Sequence, residues 1–294
     1  MNAPVELRAG DFELGLVPAI GGSVAFFRWR GIDLMRPLSE EAAARGDVLG
    51  VASFPMVPYA NRIDGNEFTF EGERYSVPPN NGSERFNVHG SGWKSAWTVT
   101  EQTGDAATLT LDHRGTDDPY RYRAKQTLRL TSDGLTIATT IENTGPRAMP
   151  FGFGHHPWFE RDGDVTLRFR ATHFWLEAPE GIASDRIALP PELDFANGAK
   201  LPASWRNNDY GGWDGIAEII WPSRGAGLRI EADPIFGELM LYADPTKTFF
   251  CVEPQTNVPC AFNKAERGEE ALGVIVLGPG ETASGTIRFK GFAP

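Results

Sequence analysis

Five residues combine titratable or hydroxyl-binding chemistry with unusual surroundings: Arg62, His89, His156, Asp214 and Glu253. His156 lies in Phe151-Gly152-Phe153-Gly154-His155-His156-Pro157-Trp158-Phe159. That stretch reads as a strand running into a loop at the proline. Side chains alternate across a strand, so Phe151, Phe153 and His155 share one face and Gly152, Gly154 and His156 the other. The first face is bulky and fits a core. The second is emptied by two glycines, which inside a strand often mark close approach by a ligand or another backbone. An imidazole beside such a clearing is a candidate acid or base. On this segment alone, a hydrogen-bonded structural histidine with glycines serving a bulge explains it equally well.

The other four have competing readings of the same kind. Arg62, in Phe54-Pro55-Met56-Val57-Pro58-Tyr59-Ala60-Asn61-Arg62-Ile63, needs a partner because an unpaired buried charge is costly. An ion pair under a loop would supply one. His89 is followed by Gly90-Ser91-Gly92, which leaves room around the ring or holds it in a turn. Asp214 follows Gly211-Gly212-Trp213 and also reads as a turn aspartate beside Gly215. Glu253 closes the aromatic stretch Phe249-Phe250-Cys251-Val252, and glutamate is seldom buried unless paired. Taken together, two carboxylates, two imidazoles and a guanidinium can bind hydroxyls and move protons. Trp93, Trp158 and Trp213 stand close to them in sequence and can stack on the C–H face of a sugar, although core filling accounts for most of the 8 tryptophans. A metal site has less support. No two candidate ligands have H-x-H or H-x-x-x-H spacing, and His155 and His156 point to opposite faces of a strand.

The elements that must position these residues are nearly all strands. One short helix is predicted over Ser39–Arg45, with a serine cap, Glu40 and Glu41 in the first turn, and Gly46 after it. Leu128 and Leu130 alternate, Ser132-Asp133-Gly134 turns, and Leu135 and Ile137 alternate again, which predicts a hairpin. Phe68 and Phe70 lead through Glu71-Gly72-Glu73 to Tyr75 and Val77 in the same manner. Further strands are predicted at Val24–Trp29, Trp97–Glu101, Thr108–Asp112, Val165–Phe169, Ile216–Trp221, Leu228–Glu231, Glu238–Tyr242, Phe249–Glu253, Leu272–Leu277 and Thr286–Phe289. Frequent turns with almost no helix predict an all-β, antiparallel sandwich, residues 1–294 forming one domain. Ala188–Pro202 is expected to be a long surface loop.

Bulk properties narrow the partner. The net charge of −11, with no basic run, argues against nucleic acid and fits a neutral or cationic small molecule. No apolar run approaches the roughly 18 residues of a membrane span. Met1 to Asp11 does not resemble a secretory leader. Cys251 and Cys260 suit free thiols, and a cytoplasmic location is expected. Oligomeric state is not legible.

The motifs resemble those of the aldose 1-epimerase (galactose mutarotase) family. Asn61-Arg62-Ile63, Asn87 with His89-Gly90, His156-Pro157-Trp158-Phe159, Trp213-Asp214 and Val252-Glu253-Pro254-Gln255-Thr256 follow in that family's order, over about residues 5 to 290. The resemblance implies a galactose mutarotase-like β-supersandwich with its site in a groove on one sheet. It implies Glu253 as general base and His156 as general acid. Arg62, His89 and Asp214 would hold the hydroxyls of a monosaccharide, with Asn61 and Trp158 also in the site. No cofactor is implied. Three departures bear on which sugar is read: Gly215 where a histidine is frequent, Ser91 where a second glycine is, and Glu160-Arg161 where asparagine is common. Alternatives are a hexose-6-phosphate 1-epimerase using Arg85 and Lys94, a glycosidase using Asp214 with Glu253, and a sugar-binding protein without turnover.

Overall fold

The computed structural model describes residues 5–82 and 84–294. Met1–Pro4, where the stretch read for a leader begins, lie outside the described residues. Among those described, two large antiparallel sheets of 11 and 9 strands are formed. Six strands of the larger sheet matter for the site. They are β1 (Ser53–Met56), β2 (Gly154–Glu160), β3 (His173–Ala178), β4 (Arg206–Gly211), β5 (Glu238–Ala243) and β6 (Phe249–Gln255). Across the sheet they stand in the order β1-β2-β6-β5-β4-β3, so the chain crosses over repeatedly to assemble them.

The second sheet is organised around the predicted hairpin. Leu130 pairs with Leu135 and Leu128 with Ile137, between strands Tyr122–Thr131 and Gly134–Asn143. The first of these strands alternates buried with exposed or half-buried residues along its length, as a strand with one packed face should. The two sheets share an apolar cluster: Leu7, Phe27, Phe159 and Phe250 come from the larger one, Leu128, Ile137, Ile230 and Phe289 from the other. Phe159 meets Trp221 across the interface at 6.2 Å between ring centroids.

The helix at Glu40–Arg45 forms as predicted. Ser39 Oγ accepts the Ala42 N–H, and Gly46 takes the left-handed conformation that ends it. Two expectations need correction. Pro157 does not end its strand. β2 runs through it to Glu160, and backbone bonding resumes where the Trp158 N–H donates to the Ala52 carbonyl at 2.9 Å. Met149–Phe151 is a separate strand, paired with Ile275–Leu277. Ala188–Pro202 is more than a surface loop, because Phe195 is buried and Ala199 pairs with Leu167. No helix among the described residues is long and apolar enough to cross a membrane.

Candidate active site

Strand register brings distant residues into one row. His156 on β2 lies opposite Phe54 on β1. Pairing of Gly154 with Gln255 and of Trp158 with Cys251 sets His156 beside Glu253 on β6. Glu253 pairs with Met240 on β5, and Met240 with Asp209 on β4. His155 points the other way, into the sandwich, where its Nε2 lies 3.1 Å from Thr139 Oγ1. The alternation read from the sequence therefore separates the two imidazoles. The glycines have a different reason from the one expected. A Cβ on Gly152 would stand 1.9 Å from Asn257 Oδ1, and one on Gly154 would stand 2.5 Å from the Pro254 carbonyl. They admit neighbouring protein atoms rather than a ligand.

The row opens into a cleft of about 700 Å³. In it, His156 Nε2 lies 3.3 Å from Glu253 Oε1. Phe54 packs against His156, His89 and Trp158, with centroids 4.8, 5.6 and 5.2 Å away. Trp158 backs the His156 ring at 4.2 Å. Arg36 lies between the rings of Trp158 and Phe249, at 5.0 and 4.8 Å, and donates to the Leu49 and Val51 carbonyls. It thereby ties the rim to the aromatic floor.

His89 and Asn61 enter from two loops, both with positive φ, 57° and 61°. They hold each other. The Asn61 N–H donates to His89 Nδ1 at 2.9 Å, and the His89 N–H donates to the Asn61 carbonyl at 2.9 Å. Asn61 Oδ1 accepts the Arg62 N–H, which explains asparagine in this backbone conformation. Because Nδ1 accepts, neutral His89 carries its proton on Nε2 and offers a donor to the cleft. Its ring stands 5.3 Å from that of His156 and perpendicular to it. Arg62 pairs with Glu84 at 3.5 Å, and its buried Nε has no hydrogen-bond partner among the described residues.

Burial governs the electrostatics. It raises Glu253 well above the usual carboxylate range, with buried Asp209 adding to the shift and Arg62 opposing it. It lowers His156 to about 3, with Arg36 and Arg62 also disfavouring the imidazolium. His89 is pushed well below the ordinary histidine value, first by burial and then by His156 and Arg62. The Cys251 thiol at the cleft wall is pushed up by burial, so it is no ready thiolate. Ligand atoms of His89, His156 and Glu253 all lie within 4.8 Å of one another. The bond received by His89 Nδ1 nevertheless leaves a proton on Nε2, where a metal would need a lone pair.

Of the sequence-predicted site residues, Arg62, His89, His156, Glu253, Asn61 and Trp158 all line the cleft. Asp214 does not. It is exposed, and its Oδ1 accepts the Ile216 N–H in its own turn. Trp213 is likewise committed locally, through its indole N–H to the Ile216 carbonyl. Asp214 and Glu253 therefore make no carboxylate pair across the cleft. Arg85 lines the cleft and Lys94 lies over the Trp93 ring outside it, while Glu84 and Glu177 add carboxylates to the lining. Ser91, Glu160, Arg161 and Gly215, the departures from the family pattern, are all absent from the lining. Glu177, Trp205 and Asn207 line the cleft without having been foreseen.

The fold is that of galactose mutarotase-like proteins: one from Clostridium acetobutylicum superposes with a TM-score of 0.85 at 21% identity, covering 99% of this chain and 95% of that one. The chain belongs to the aldose 1-epimerase family, whose model matches residues 5–290. A candidate aldose 1-epimerase from Escherichia coli K12 superposes with a TM-score of 0.91 at 30% identity over 99% of both chains. The uncharacterised protein YphB of Escherichia coli K12 is 32% identical over 278 residues, 92% of each chain. An aldose 1-epimerase of the same bacterium is 28% identical over 109 residues, 36% of this chain and 31% of that one.

Proposed function

We infer that the protein interconverts the α and β anomers of a free aldose. The observation that carries this reading is the pair formed by half-buried His156 and buried Glu253, 3.3 Å apart at the floor of the cleft. Opening a pyranose needs a base on the anomeric hydroxyl and an acid on the ring oxygen. Glu253 takes the O1 proton, C1=O1 forms as the C1–O5 bond breaks, and His156 delivers a proton to O5. The C1–C2 bond then turns, and ring closure on the other face of C1 reverses both transfers. Both steps are proton transfers, so no metal or organic cofactor is required.

Burial pushes Glu253 and His156 toward their uncharged forms, which together hold one proton. The carboxylate–imidazolium form holds one proton too. A transfer within the pair converts one into the other without exchange with water. His89, donating from Nε2, and Arg62 hold hydroxyls and steady the departing oxygen. Trp158 supplies part of an apolar wall. The chain acts as a single domain, a reading supported by an apolar cluster that draws on residues from Leu7 to Phe289.

The test is anomer exchange followed by NMR with glucose, galactose, xylose, arabinose and glucose 6-phosphate. Acceleration of one or more unphosphorylated sugars is expected. Acceleration of glucose 6-phosphate alone would replace this reading with a sugar-phosphate epimerase. Sugar binding without acceleration would reduce it to a binding protein.

A further inference from the structure

A second polar cluster stands in the cleft, on strands β3 and β4, away from the His156–Glu253 pair in strand order. Glu177 lies near the end of β3, Asn207 near the start of β4, and Trp205 just before it. Asn207 pairs in register with Tyr242 on β5, and all four residues line the cleft. Glu177 Oε1 accepts from Asn207 Nδ2 at 2.6 Å, and Glu177 Oε2 accepts from Trp205 Nε1 at 2.8 Å.

A carboxylate only accepts hydrogen bonds, so it decides which end of the Asn207 amide faces it. One N–H of the NH₂ is committed to Glu177. The carbonyl oxygen is thereby fixed at the opposite end of the amide, where it accepts rather than donates. Trp205 is held as firmly. Its N–H is anchored on Glu177 and its ring meets Tyr242 edge-on at 5.4 Å, yet 46% of the residue stays exposed. An exposed indole fixed in one orientation suits stacking on an apolar ring face. Glu253 and this cluster line the same cleft of about 700 Å³.

We propose that Glu177 is a specificity-determining positioning residue. By locking the Asn207 amide and the Trp205 indole, it makes this part of the cleft a subsite for a hydroxyl donor on a ring carbon remote from C1. The subsite favours neutral, fully hydroxylated aldoses over analogues lacking that hydroxyl. The proposal rests on the cleft being an aldose site.

The test compares the parent aldose with its monodeoxy analogues on the wild type, Glu177→Gln and Asn207→Ala. Two readouts are taken: anomer exchange by NMR and binding by tryptophan emission. The wild type should prefer the parent over one remote deoxy analogue by about 3–10-fold, the worth of one hydrogen bond. Glutamine both donates and accepts, so in Glu177→Gln that preference should fall to about twofold or less. The change should appear in KM, with kcat held within about twofold. Asn207→Ala should abolish the same preference and no other. A merely structural Glu177 would lower the melting temperature and leave the ratio unchanged, which would overturn the proposal. If the wild type accelerates no sugar, the epimerase reading falls, and the binding ratios still decide the subsite. Failure to bind any aldose would overturn both.

Discussion

In the proposed mechanism Glu253 acts as a base because its proton has a defined neighbour, His156, to move to. Glu253→Gln keeps the shape and removes the base. Turnover should drop by about 10²–10⁴-fold, as for a positioned acid or base, with sugar binding nearly unchanged. Exchange near the wild-type rate in a folded, sugar-saturated variant would rule the mechanism out. The pH profile follows from the same pair. Glu253 is raised and His156 lowered to about 3, so the one-proton state spans a wide range. Activity should show a plateau rather than a sharp peak. It should fall on the acid side only well below the ordinary histidine value, and on the alkaline side only above the ordinary carboxylate value. A sharp optimum between those two ordinary values would contradict this. Asp214→Ala should leave kcat/KM unchanged and cost about 0.5–1.5 kcal/mol of stability, through loss of its bond to the Ile216 N–H. Asp214 was conspicuous in the sequence because a tryptophan precedes it, but that tryptophan bonds within the same turn. Asn207 was not conspicuous, because Arg206-Asn207-Asn208 looks like polar loop. Only pairing with β5 brings it beside Tyr242 in the cleft.

Strand β2 shows how far local pattern reaches. Period-two alternation separated His155 from His156 correctly, because it depends only on the pleat. The role of the glycines was not legible, since Asn257 and Pro254 are about a hundred residues away in the chain. The proline was misread because its missing N–H suggested an end to pairing, whereas backbone bonding resumes one residue later. His155 carries a stability prediction. Burial lowers it to about 3 in the folded protein, against about 6.5 when unfolded. Its stabilising contribution is therefore complete above about pH 6.5 and lost as pH falls toward 3, at about 1.4 kcal/mol per pH unit. His155→Gln can keep a bond to Thr139 without this proton uptake. In urea unfolding, its loss of stability between pH 6.5 and 4.5 should be about 2–3 kcal/mol smaller than that of the wild type. His89 and His156 shift in the same direction and should leave some slope behind. Equal losses in the two proteins would show that His155 does not carry the effect.

At the scale of the molecule, the sandwich was legible because strands, turns and the near-absence of helix all agree. The site's depth was not, because it depends on how β4, β5 and β6 stack their polar residues in successive rows. Glu238 pairs with Gln255 and with Gly211 in the row behind Glu253. Burial, with Asp209 adding, pushes Glu238 up to about 10. Asp209 is itself raised to about 7 by burial, against a bond from Gln255. A carboxyl raised on folding contributes stability below its unfolded value, near pH 4.3, and loses it as pH climbs toward the folded value. Glu238→Gln should match the wild type near pH 4 and exceed it by about 1–3 kcal/mol at pH 8.5. Thermal unfolding at the two pH values checks this. A variant less stable at both would mean that a bond made by the carboxyl outweighs its burial.

The back-to-back imidazoles of β2 also constrain how this protein can change by insertion and deletion. A strand that slips by one residue exchanges its two faces. With histidine at both 155 and 156, a slip that carries His155 into the place of His156 would still present an imidazole to Glu253, whereas the opposite slip would present Pro157. The first slip would also bury Trp158 where Phe159 now packs and turn Phe159 toward Arg36. Single-residue insertions in the turn before Gly154 therefore have a route to survival in which an imidazole is kept and Pro157 stands in the place of Trp158. The same event in β6 would have none, because Val252 and Pro254 flank Glu253 and neither can accept a proton.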